Sequence, residues 1–322
     1  MTIISNRAGS GAPHTTGVAA SASNTSASDA NTPNASTPEA GTPRRPDPRQ
    51  VQKRPTRQRT RGEFWRRYVL PPIAAAVLGV ILWQLVIVVY GLPSYLLPGP
   101  VDVLNAVVTG AVPMLPSAFV TFQEALLGFV LAAVSGFLAA LVMARWAVAE
   151  RGLYPYLVLL QTIPIVAVAP LFVVWFGSGM TTNVFVAAMI AVFPVAANTL
   201  QGLKSTDRNL VQLYRMAGAP PRVQLFSLRV PAALPQILTG LRIASGSSVI
   251  GAIVGEFVAG IGGGQGGLGY VITLNATQLR TPELFVAVLL ASVVSLVLFG
   301  AVATIESLLL KRWHESAMPA EE

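Results

Sequence analysis

The chain has 322 residues, 53% hydrophobic and 11% charged, with a mean hydropathy of +0.60 and a formal net charge of +8. A soluble globular domain carries roughly 25% charged residues, so an ordinary soluble domain is excluded. The charge is uneven: residues 1–67 hold 11 of the 22 Lys+Arg and 4 of the 14 Asp+Glu. A nearly neutral, very apolar body therefore follows a basic tail, which argues against a nucleic-acid-binding globule. Cysteine is absent, and His14 and His314 lie near the two termini. No disulfide framework, Cys/His metal site or Cys/His nucleophile is available.

Residues 1–43 are rich in Ser, Thr, Ala, Asn, Gly and Pro. Such a segment buries too little apolar surface to offset its ordering entropy and reads as disordered. Ten cations between Arg44 and Arg67 follow. They read as a solvated anchor that anionic head groups attract at about 1 kcal/mol per basic residue. Val69 to Tyr90 then gives 22 residues without a charge, enough to cross a hydrocarbon core of about 30 Å at about 1.5 Å per residue. It starts too late and runs too long for a signal peptide.

Five more spans are expected at about 119–144, 155–176, 183–201, 234–258 and 284–310. Between the first two, five prolines and a single charge, Asp102, suggest extended links around a short interfacial helix at 101–109. The expected fold is all-α: an integral membrane domain at 68–322 with six transmembrane helices, behind a disordered Arg-rich tail at 1–67. With both termini inside, 20 of 22 cations fall on the cytoplasmic side, as the positive-inside rule requires.

The segment 202–233 is too long for a plain connection. Leu210, Leu213, Tyr214 and Ala217 recur at helical spacing, with Arg208, Gln212 and Arg215 away from that face. Thr206 or Asp207 suits the start, and Gly218 the left-handed residue at the end. Pro220 and Pro221 suit the first turn of a second short helix that sets Val223, Phe226 and Val230 on one side. Two readings of this pair stand side by side: a knob for a groove on another protein, and interfacial helices resting on head groups.

Other polar positions carry less. There is no Gly-Lys dipeptide and so no phosphate-binding loop with its lysine; Gly260–Gly269 reads as a flexible outer loop. Pro164 and Pro170 interrupt the third span, and Gln161 and Thr162 beside them either line a pathway or heal the kink. Ser247, Gly251 and Gly255 share a face at four-residue spacing, the small-xxx-small pattern of close helix packing, while Ser245 and Ser248 are pathway candidates. Glu256 reads as a carboxylate snorkelling to the outer interface or as a polar group at the pathway mouth, and Glu124 as an interface residue. No acid–base pair is visible, so no catalytic residue and no metal ligand is assigned.

The run from Gly218 to Pro231, with Arg222, Leu228 and Val230 inside it, resembles the cytoplasmic loop signature of binding-protein-dependent ABC importer permeases. In that signature Glu-Ala-Ala is followed by three residues, Gly, nine residues and Ile-x-Leu-Pro. Gly218, Leu228, Val230 and Pro231 occupy the last four places, while Gln212, Leu213 and Tyr214 replace Glu-Ala-Ala. Leu97–Val103, Gln161–Pro164, Pro170–Gly177, Asn198–Leu203, Thr239–Arg242 and Gly266–Tyr270 are similar to the nitrate/sulfonate/taurine-type branch. That branch includes permeases for thiamine-pyrimidine precursors and riboflavin, toward which Gly251–Phe257 leans.

The resemblance implies a permease subunit of an ATP-driven importer in the bacterial inner membrane, without enzymatic activity of its own. It implies a homodimer, two ABC ATPase subunits docked on this loop, and a periplasmic or lipid-anchored binding protein. ATP is then bound by the partner and no cofactor by the permease. Alternating access would move a small organic or anionic solute, such as a sulfonate, nitrate, taurine, a pyrimidine or a riboflavin-like molecule. A secondary transporter and a non-transport membrane scaffold are the competing classes; the first would need ion-coupling groups or internal repeats.

Overall fold

The computed structural model describes residues 70–261 and 266–315; the tail read as disordered and the middle of the glycine-rich loop lie outside them. The described residues form α1 (Leu70–Tyr90), α2 (Pro100–Arg145), α3 (Ala147–Thr162), α4 (Ile165–Phe176), α5 (Met180–Lys204) and α6 (Arg208–Met216). After α6 come α7 (Pro221–Val223), a π-helical stretch Gln224–Arg229, α8 (Val230–Ala232), α9 (Leu234–Ile261), α10 (Leu268–Thr277) and α11 (Thr281–Glu315). Among the described residues there is no strand.

Helices α1, α2, α5, α9 and α11 are long and apolar enough to cross a membrane, and α3 with α4 makes a sixth crossing if the bent pair is one span. That pair is bent by 101°. The cause is local: Pro164 lacks an N–H and pushes the residue before it out of the helical region, and Ile163 is accordingly extended at φ −66°, ψ 125°. The interruption read at Pro164 in the third span, 155–176, takes the form of two helices meeting at that residue, while Pro170 lies inside α4 without ending it.

The interfacial helix expected at 101–109 is also corrected, because it is the opening of the 46-residue α2. Pro100 sits in the first turn, where its missing N–H costs nothing, and the Gly99 N–H donates to Asp102 Oδ2 at 3.0 Å. Pro113 and Pro116 lie within the helix without ending it; freed backbone groups are tolerated where neighbouring helices cover them. The last helix likewise runs past the expected 310, to Glu315.

Helix α5 is the centre of the domain, with α2 on one side and α9 on the other. Its buried face is mostly small: Ala187, Ala188, Ala191 and Ala196 are at most 7% exposed. Gly128 and Gly136 of α2 and Gly240, Gly251 and Gly255 of α9 pack against that face. Between membrane helices there is little hydrophobic drive, so close backbone approach and dispersion carry the association. A Cβ on Gly251 would stand 2.5 Å from Ala187 Cα, a backbone atom that cannot swing aside. Gly251→Ala is expected to cost about 1–3 kcal/mol by overpacking. Gly246→Ala on the same helix, with nothing within 4 Å, should stay within about 0.5 kcal/mol. Paired thermal unfolding curves in detergent measure the contrast.

By contrast α1 contributes no buried residue. It touches the domain through Trp83, stacked on Phe285 at a centroid separation of 5.8 Å.

Candidate functional site

Two places concentrate polar and unpartnered groups. One is the loop between α5 and α9, on the face of the domain where α2 and α5 end; the other is a buried cluster toward the opposite face.

In the loop, Asp207 caps α6 by accepting from the Asn209 N–H at 2.8 Å. Gly218 holds φ +70° after the helix, a conformation that favours glycine. Its N–H bonds the Arg215 carbonyl at 3.0 Å. Pro221 opens α7 in its first turn. Val211 and Leu225 turn inward, 8% and 7% exposed, and anchor the loop. Leu225 joins Leu203, Ala233 and Ile237 in one apolar cluster.

Leu210, Leu213 and Phe226 are 45%, 55% and 57% exposed. Ala217, Arg215 and Arg222 are exposed too, and Tyr214, Leu228, Val230 and Pro231 are half-buried. Met216, which periodicity alone does not single out, is the most exposed apolar residue of α6 at 79%. The loop therefore presents an apolar surface away from the body of the domain.

The pathway candidates separate. Gln161 and Thr162 are exposed beside the bend, and Thr162 Oγ1 donates back to the Leu159 carbonyl at 2.9 Å. Ser245 and Ser248 are fully buried. Their hydroxyls donate to the carbonyls of Arg242 and Ser245 in their own helix at 2.7 and 2.8 Å. Their side of α9 packs within the protein. Gly251 and Gly255 lie on the seam with α5. Ser247 instead bonds Ile243 O on a more exposed side of the helix, so the small-residue seam continues through Ser248.

Glu256 and Glu124 are each 3% exposed, so Glu256 does not snorkel to the interface and Glu124 is not an interface residue. Asn183 Nδ2 donates to Glu124 Oε1 at 2.9 Å. The Gly269 N–H donates to Glu256 Oε2 at 2.6 Å, and the Leu268 N–H to Thr121 Oγ1 at 2.8 Å. Glu124 Oε2, Glu256 Oε1 and Asn183 Oδ1 are buried without a hydrogen-bond partner. Thr121 of α2 and Glu256 of α9 thus clamp the first turn of α10. Gly267 is required there, because a Cβ would overlap the Glu256 carboxylate and the Thr121 hydroxyl. Asn183 and Thr121 were not singled out from sequence; an amide and a hydroxyl in apolar helices leave no periodic mark.

A second in-membrane pair joins Arg242 Nη1 to Glu306 Oε2 at 3.0 Å, with Arg242 also over the Phe299 ring at 5.7 Å. It ties α9 to α11. The pair is part-buried, the Arg242 side chain being 40% exposed; stranding one charge in a membrane helix costs up to roughly 2.5–3.5 kcal/mol, whereas removing both charges of a desolvated pair is often neutral. Glu306→Leu alone is therefore expected to lower stability by about 3 kcal/mol, and Arg242→Met with Glu306→Leu by less than about 1 kcal/mol. A double-mutant cycle on thermal unfolding measures the difference.

Five membrane-crossing helices and a bent pair, centred on the small-residue helix α5 and carrying an apolar loop on one face, define a multi-pass membrane protein. Residues 132–315 match the family "Binding-protein-dependent transport system inner membrane component", and the chain belongs to it. The chain is 37% identical over 246 residues to the formylaminopyrimidine transport permease protein ThiX of Halalkalibacterium halodurans, a match covering 75% of this chain and 95% of that protein. It is 33% identical over 274 residues to the riboflavin transport system permease protein RibX of Chloroflexus aurantiacus, covering 81% and 97%. It is 30% identical over 263 residues to the putative aliphatic sulfonates transport permease protein SsuC of Bacillus subtilis, covering 80% and 91%. The resemblance drawn from the loop signature is borne out: this is an inner-membrane ABC permease of the branch with pyrimidine, riboflavin and sulfonate members.

Proposed function

We propose that the chain is the membrane subunit of an ATP-driven importer, with both termini and the 205–233 loop in the cytoplasm. An ABC ATPase docks on Leu210, Leu213, Met216 and Phe226. The carrying observation is that these four large apolar side chains stand 45% to 79% exposed on a loop outside the apolar spans. Burying each against a partner is worth about 1.5–3 kcal/mol, which gives the exposed surface a physical purpose.

Two copies of the permease form the pathway, and each docks one ATPase. Closure of the ATPase pair moves the loops, and α9, continuous with the loop through α8, carries that movement into the membrane. A periplasmic or lipid-anchored binding protein delivers the solute. Its class is a small heterocycle or organic anion, with a formylaminopyrimidine-like compound first among them because of the likeness to ThiX.

Reconstitution tests this. The permease is placed in proteoliposomes with its ATPase and binding protein. Labelled pyrimidine, riboflavin and sulfonate uptake is then measured with ATP and with a non-hydrolysable analogue. Uptake that requires hydrolysis is expected. Uptake that proceeds without ATP and collapses with the ion gradient would establish a secondary transporter instead.

A further inference from the structure

The loop face carries a charged feature that the apolar docking surface does not use. Where α2 and α5 end, two adjoining cavities of about 320 Å³ and 270 Å³ share Arg215 and Arg229 in their walls. Lys204 and Arg208 line the first and Arg145 the second, over an apolar floor of Leu203, Val211 and Leu225. Neither lining contains a carboxylate. The acids nearby are engaged elsewhere: Glu150 pairs with Lys204, and Asp207 caps α6. Among the described residues, Arg145, Arg208, Arg215 and Arg229 form no ion pair.

Guanidinium groups left together repel one another, and a tetrahedral oxyanion would relieve that through paired N–H···O bonds that match their fork. The cavities sit at the ends of two helices long and apolar enough to cross a membrane, and lipid phosphates flank the ends of such helices. Trp146, 54% exposed beside Arg145 and under its guanidinium at 5.6 Å, is the kind of aromatic that occupies that level.

The register of α6 sets the groove apart from the docking surface. Arg208, Val211, Gln212 and Arg215 face the cavities, while Leu210 and Leu213 fall on the opposite side of the helix. A protein seated on Leu210 and Leu213 would thus approach from the far side. We propose that the Arg145–Arg215–Arg229 groove is a phosphate site, filled by the head group of an anionic phospholipid or by free phosphate.

The test uses the full chain in detergent. Native mass spectrometry measures retention of phosphatidylglycerol against phosphatidylcholine, and titration calorimetry measures binding of inorganic phosphate. Preferred retention of phosphatidylglycerol is expected, reduced about tenfold or more by Arg215→Gln with Arg229→Gln. Arg215→Lys with Arg229→Lys keeps the charge and should fall between the two. Strong phosphatidylglycerol preference with weak phosphate binding assigns the site to lipid; arginine-dependent phosphate binding without a lipid preference assigns it to the free anion. Equal retention of both lipids with no phosphate binding overturns the proposal. So does a glutamine variant whose one defect is lost ATPase co-purification, because the arginines would then serve an acidic group of the partner.

Discussion

Leu213→Asp combined with Phe226→Asp is expected to leave the permease folded and membrane-inserted and to abolish co-purification of its ATPase. Both side chains are more than half exposed, and surface substitutions of that kind usually change folding stability by no more than about 0.5 kcal/mol. In the proposed complex the same positions are buried. Two apolar contacts are then lost at about 1.5–3 kcal/mol each, and two carboxylates must be desolvated against apolar partner surface. A loss of at least about 4 kcal/mol is about a thousandfold in affinity, which wash steps will not survive. Gly218→Pro, or deletion of residues 210–226, is a blunter version. Proline cannot adopt the φ of +70° found at Gly218, and the deletion also removes the anchors Val211 and Leu225, so docking and local folding fail together. The double aspartate separates them. Undiminished co-purification with that variant, in membranes that contain normal amounts of it, would end the docking reading.

What could be read beforehand followed from how each signal is written in the chain. A span is a local property, a run of about twenty apolar residues, and the five long helices and the bent pair were visible as such. Pro164 announced the broken span because a proline acts on its own neighbours. Pro113 and Pro116 announced a break that does not occur, since tolerance of a helix-internal proline depends on which helices cover it. The buried cluster at Glu256 was hidden for the opposite reason. Its members Thr121, Glu124 and Asn183 come from two other helices, and no local period joins residues separated by 59 or 147 positions. The serines of α9 show how narrow the margin is. Ser247 and Ser248 differ by one position, about 100° around the helix. One stands on the more exposed side and the other on the buried seam.

Gly267→Ala is expected to be far more damaging than its single methyl suggests. The new Cβ would occupy the space of the Glu256 carboxylate and the Thr121 hydroxyl, the two groups that accept the Leu268 and Gly269 N–H donors at the start of α10. Overpacking costs about 1–3 kcal/mol, and each buried donor left without a partner about 1–3 kcal/mol more. A total of at least about 3 kcal/mol is expected, read as a large fall in melting temperature together with faster amide exchange over residues 268–277. Glu256→Ala should behave alike, because it removes the Gly269 acceptor outright. Glu256→Gln is the discriminating control. Its amide oxygen still accepts from Gly269, and its NH₂ offers a donor toward Glu124 Oε2, which has none from any other group. A change within about 1 kcal/mol is expected. If Gly267→Ala unfolds at the wild-type temperature with unchanged exchange in α10, the first turn of that helix is not held by Thr121 and Glu256. If Glu256→Gln is as unstable as Glu256→Ala, the charge of the carboxylate, and not its hydrogen-bonding shape, fastens α10 to the membrane core.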